Sequence, residues 1–283
     1  MFSIHLLRVR CEPLLQKGLF ETPLNPAQVI VKSLLSAPTG KVGRGSEWHI
    51  GKPELIAEEG GVGFKMGRRT AVTLPQYDKD ARDFFEEKVE RAPYTFGVFD
   101  AENQTCGIVR RSGVSQSAVE IASKLEKILN ASEIPNESGF RIVVDPIRDP
   151  QGFIEQLQSA AQIKKFSFTS TFPNPFDVEE LIQRPAEEFT KIVGGTKTKV
   201  EVNGENLSGE VLEELSRGVA STGDEASATI LEDGKRKTKR VHLKGNPILE
   251  AVEVGIDLSS VREYYNYMLK ATKSAYKKIR RSS

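Results

Sequence analysis

The stretch IKKFSFTSTFPNPFDVEELI, residues 163–182, decides the fold reading. Lys164, Phe166, Phe168, Ser170 and Phe172 alternate with Lys165, Ser167, Thr169 and Thr171. A period of two marks a strand, so the phenylalanines share one face and Ser167, Thr169 and Thr171 take the other. Pro173-Asn174-Pro175 stops the alternation, because proline brings no N–H to a ladder, and Phe176 to Ile182 opens an acidic helix. The aromatic face is expected to lie as core beneath the elements that precede it.

Upstream of that strand the pattern is legible. Tyr94 to Phe99 and Thr105 to Arg110 alternate on either side of Asp100-Ala101-Glu102-Asn103 and predict a hairpin. Ser115 or Ser117 caps a helix whose apolar set is Val119, Ala122, Leu125, Ile128 and Leu129. Phe140 to Val144 is a buried strand, and Asp149-Pro150 caps a short helix with Phe153, Ile154, Leu157 and Ala161 inward. Ile4 to Val9 reads as a first strand, and Asn25-Pro26 opens a helix to Leu35. Dense glycine from Gly40 to Gly67 predicts short strands and tight turns. Val62 to Leu74 reads as further sheet broken at Pro75, and Asp78 to Arg91 as a short surface helix.

Downstream, Phe176 to Val193 and Leu207 to Ser221 read as polar helices joined by a Lys-rich link. Ala226 to Leu231 pairs with Lys239 to Leu243 across Asp233-Gly234, Ile248 to Ile256 returns as a strand, and Ser259 to Ser283 forms a long helix. Val261, Tyr264, Tyr265, Met268, Leu269, Thr272 and Tyr276 line one side of it. The fold class is therefore α+β. Residues 1–175 form a domain with helices on one face of a mixed or antiparallel sheet, with ferredoxin-like elements. Residues 176–283 form a helix-hairpin-helix appendage.

Phe140-Arg141-Ile142-Val143-Val144-Asp145-Pro146, Lys165 to Thr169 with its Pro-Asn-Pro stop, and Gly245-Asn246-Pro247 carry a resemblance. Together they are similar to an uncharacterised bacterial family, some of whose members lie near phage-defence genes. The resemblance implies this architecture and a setting in antiviral defence. It brings no catalytic residues with it.

Composition narrows the chemistry. Lys and Arg number 40 against 39 Asp and Glu, so no global field draws the chain to nucleic acid or membrane, and any such attraction is local. Cys11 and Cys106, without a CxxC pair, fit a reducing cytoplasm. No signal peptide and no apolar run of membrane-spanning length is present, so a cytoplasmic protein without membrane contact is expected. His5, His49 and His242 stand too far apart in sequence for a zinc motif, and no cofactor is expected. Gly40 to Ser46 lacks the Walker spacing, although Lys41 and Arg44 suit a phosphate, and no Gly-x-Ser-x-Gly elbow occurs.

The strongest local signal is basic. Lys235, Arg236, Lys237, Lys239 and Arg240 place five positive charges in six residues at the hairpin tip, and Lys277, Lys278, Arg280 and Arg281 place four in five at the tail. Such density suits phosphate contact, and Tyr264, Tyr265, Tyr267 and Tyr276 could stack on bases. A non-enzymatic protein that binds nucleic acid or a protein partner is expected. The C-terminal helix is the surface for a homo-oligomer or protein partner. The alternatives are a metal-dependent nuclease using Asp145, Asp149 or Asp177, and a purely structural subunit of a hetero-complex.

Overall fold

A computed structural model describes residues 2–14, 25–42, 46–114, 116–171, 183–195, 197–252 and 260–280 of the chain. In order they form β1 (Phe2–Pro13), α1 (Pro26–Leu35), β2 (Thr39–Val42), β3 (Ser46–Ile56), β4 (Gly61–Arg68), β5 (Thr70–Asp78), β6 (Asp83–Arg91), β7 (Tyr94–Asp100) and β8 (Thr105–Val109). There follow α2 (Ala118–Asn130), α3 (Glu133–Glu137), β9 (Phe140–Pro146), α4 (Gln151–Gln158), β10 (Ala160–Thr171) and α5 (Gln183–Ile192). The last elements are β11 (Lys197–Asn203), α6 (Gly209–Thr222), β12 (Ala226–Glu232), β13 (Lys239–His242), β14 (Leu249–Val252) and α7 (Val261–Arg280).

The class is mixed α+β with antiparallel sheets. The larger sheet has the order β14-β1-β8-β7-β4-β3-β2, with β9 also on β1. β1 is its axis: Phe2–His5 pair with β14, Ile4–Arg8 with β8 and Leu7–Pro13 with β9. β1 is covered on both faces, so residues 4–9 are all buried, the polar His5 and Arg8 included. Leu7, Val9 and Cys11 join the core beneath α1 and α2, whereas Ile4 and Leu6 join the clusters beneath α7. The smaller sheet, β11-β10-β12-β13, lies under α4 and α6, and Phe166 and Phe168 are buried in its core beside Phe153, Leu215 and Val219. That much matches the reading of the Phe face; Phe172 and Pro173 to Ile182 lie outside the described residues.

α7 lies close on the larger sheet because glycines make room for it. A Cβ on Gly63 of β4 would collide with the Tyr265 ring, and one on Gly107 of β8 with the Thr272 hydroxyl. Gly63, expected in a region of tight turns, thus lies within a strand and admits a helix.

Several expectations are corrected. Residues 78–91 are not a helix: β5 and β6 form a two-stranded arm that pairs with no other strand among the described residues, and β5 runs through Pro75 unbroken. The Asp78 carboxylate accepts from the backbone N–H of Asp80 and Ala81, and Arg82 has φ 52°, so turn chemistry folds the segment back. The Lys-rich link is strand β11, held by β10. Val119 is exposed, and Ala118 and Ile121 occupy the buried stripe of α2. Ala161 is exposed in β10. Val261 is exposed, while Ala275 and Ile279 complete the buried side of α7. The expected division at 175 leaves β10 on one side and its partners β11 and β12 on the other, and β14 and α7 return to the larger sheet.

Candidate nucleic-acid interface

The basic residues singled out in the sequence lie on two different sheets. Lys235, Arg236 and Lys237 are exposed in the turn between β12 and β13 of the smaller sheet. Lys239 pairs with Glu232 at 3.0 Å, and Arg240 donates to the Ser227 hydroxyl at 3.2 Å. At the tail, Lys278 pairs with Glu250 of β14 at 2.5 Å, Lys277 and Arg280 are exposed in the last turn of α7, and Arg281 lies outside the described residues.

Asp145 and Asp149 are engaged by their own chain. Asp145 ends β9 in a cleft of about 620 Å³ at the seam of the two sheets, shared with Arg148, Asp224, Glu225, His242 and Lys244. Arg10 of β1 reaches it at 3.0 Å, lies 3.9 Å from Asp224 and donates to the Thr222 carbonyl at 3.1 Å, so this one guanidinium ties β1 and β9 to the loop before β12. Burial raises the Asp145 pKa above the usual carboxylate range, against the pull of Arg10. Asp149 accepts from the Gln151 N–H at 2.9 Å, a turn just ahead of α4, whose N-cap is Pro150 and not the expected Asp149. Asp177 and Arg44 lie outside the described residues. Among the described residues no three His, Cys, Asp or Glu side chains gather as a metal site.

A second surface assembles residues that are distant in sequence. Alternation along β7 puts Tyr94 and Phe96 outward on one face, while Thr95 between them is buried. The Tyr94 and Phe96 ring centres are 5.6 Å apart, Phe96 and Tyr264 of α7 are 4.8 Å apart, and Tyr264 and Phe2 of β1 are 5.4 Å apart. Four rings from three elements therefore form a row at the N-terminal end of α7. Two cations flank it: Lys65 lies 5.4 Å from the Tyr94 ring centre and 5.6 Å from that of Phe96, and the Arg111 guanidinium 5.2 and 5.5 Å from the same rings. Arg111 is held in place by donating to the Tyr94 carbonyl at 3.2 Å. A shallow cavity of about 510 Å³ opens beside the row, lined by Pro93, Tyr94, Arg110, Arg111 and Gly113. Burial raises the Tyr264 pKa, so its hydroxyl stays protonated and can donate.

The row is half-buried with Tyr94 its most exposed ring, and Lys65 and Arg111 lie over the Tyr94 and Phe96 rings in cation–π contact. The Arg110-Arg111 pair and the Tyr94 alternation are both visible in sequence; that Lys65, Phe2 and Tyr264 join them is not. No helix among the described residues is long and apolar enough to cross a membrane. Compared with family models and with curated proteins, the chain matches none.

Proposed function

We propose that this protein binds single-stranded nucleic acid without cleaving it, along the aromatic row of the larger sheet. The observation that carries the reading is the run Tyr94, Phe96, Tyr264 and Phe2 with Lys65 and Arg111 beside it. Stacking on exposed Tyr94 suits any base, and the cations held against Tyr94 and Phe96 neutralise the backbone that accompanies the bases. Lys235, Arg236 and Lys237 at the hairpin tip and Lys277 and Arg280 at the tail supply further phosphate contacts for a longer strand. A cytoplasmic setting in bacterial antiviral defence belongs to the same proposal and is supported by the sequence resemblance alone.

The test is fluorescence anisotropy with labelled single-stranded DNA and RNA across a salt series. Tyr94→Ala should weaken binding by about 10- to 100-fold, the worth of one lost stacking platform. Arg111→Gln should in addition flatten the plot of log affinity against log salt by about one unit of slope. Absence of binding at low salt, or affinity indifferent to Tyr94→Ala, would overturn the reading.

A further inference from the structure

We propose that the β5–β6 arm is a dimerisation element whose occupant is a second copy of this chain, joined β6 to β6 in one register. Among the described residues the arm pairs with no other strand. Phe84 is 75% exposed, Tyr77 51% and Phe85 48%, so its apolar side chains find little cover within the chain. A two-stranded ribbon is marginal by itself and gains stability from further strands.

The two free edges of the arm are not equivalent. Pro75 has no N–H, yet the ladder continues through the pair Pro75 and Glu86. Its nitrogen therefore points to the outer edge of β5 and interrupts hydrogen bonding there. β6 contains no proline from Asp83 to Arg91. Hydrogen-bonded and non-hydrogen-bonded pairs alternate along an antiparallel ladder, so Glu86, opposite Pro75, aims its N–H and C=O outward, as do Phe84, Lys88 and Glu90.

Two β6 edges related by a twofold axis must bring outward-pointing residues opposite outward-pointing residues. This limits the centre of symmetry to a residue. Centred on Glu86, the pairing opposes Glu86 to its copy and Asp83 to Val89. Centred on Lys88, it opposes Lys88 to its copy and Glu86 to Glu90. Centred on Glu87, it sets Glu86 against Lys88, Asp83 against Arg91 and Phe85 against Val89, each twice, with Glu87 at the axis the sole like-charge pair within the strand. In the arm Val72 faces Val89, and Leu74, Phe85 and Glu87 share that face, so this register sets Phe85 beside Val89 on either side of the Glu87 pair, while Tyr77 and Phe84 pack with ring centres 5.0 Å apart on the other face. Centred on Val89, the pairing sets Lys88 against Glu90 and Glu87 against Arg91 but overlaps only residues 87–91; the Glu87 centre is the one that pairs the whole of 83–91 with opposite charges and apolar residues matched.

Sedimentation velocity on the full chain at micromolar concentration should show a dimer. Glu86→Lys or Lys88→Glu alone should raise its dissociation constant about tenfold or more, since each puts like charges together twice, and the double exchange should restore it to within about threefold. In the proposed register Glu87 faces its own copy in a non-hydrogen-bonded pair, about 4.5 Å between Cα atoms, so Glu87→Cys should cross-link on oxidation. Glu90→Cys, opposite Phe84, should not, and the native thiols are buried. A monomer throughout, a dimer indifferent to both single charge reversals, or cross-linking by Glu90→Cys in place of Glu87→Cys would overturn the proposal.

Discussion

His5 sits in β1 at 5% exposure, and neither ring nitrogen has a hydrogen-bond partner among the described residues. Burial first, and nearby Arg110 second, lower its pKa below the ordinary 6.5. The unfolded chain thus binds this proton more readily than the native one. Stability from the neutral ring is present above pH 6.5 and is lost as pH falls toward the lowered native value. His5→Leu, which removes both unpartnered nitrogens, should flatten that decline, measured as the urea midpoint across mildly acidic pH. The same logic keeps Cys11 inert: burial pushes its thiol up to about 12, so the reactive thiolate is scarce at neutral pH. Cys106 is shifted upward for the same reason. Single positions at the rim of a buried stripe were less legible. Val119 and Val261 match the apolar residue type, but the helix rotation that exposes them depends on which neighbours the sheet presents.

α7 and the arm show how far local pattern carries. The apolar side of α7 is readable from its helical period, and Tyr265, Met268, Leu269, Thr272 and Tyr276 are all buried against the chain's own sheet. The stripe expected to serve an oligomer is therefore already covered, and Gly63 and Gly107 explain why the fit is close. Gly63→Ala should cost about 1–3 kcal/mol through overpacking against Tyr265, read as a lower urea midpoint with an unchanged denaturant slope. Residues 83–91 carry an ambiguous pattern, because Phe85 and Val89, four apart, suit a helix face as well as alternate strand positions. Pairing with 70–78 settles the matter, and no window confined to 78–91 contains that partner.

At the scale of the molecule, the arm is separable from the sheet that bears it. Gly67 and Tyr94 are already paired between β4 and β7, so a short loop can bridge Arg68 to Pro93. Replacing residues 70–91 with a short Gly-Ser linker should leave the melting temperature within about 4 °C, roughly 1 kcal/mol for a chain of this size. The sequence by itself determined the α+β class, the hairpins 94–109 and 226–242, helices α1, α2 and α4, and the burial of Phe166 and Phe168. These follow from periodicity, caps and turns, which act over a few neighbouring residues. Only the tertiary structure decided that β14 and α7 close onto β1, that Arg10 bridges Asp145 and Asp224, and that Phe2, Lys65, Tyr94, Phe96, Arg111 and Tyr264 form one surface. Those contacts join residues scores to hundreds of positions apart, and whole-chain packing and strand pairing bring them together. Local pattern carries no record of them.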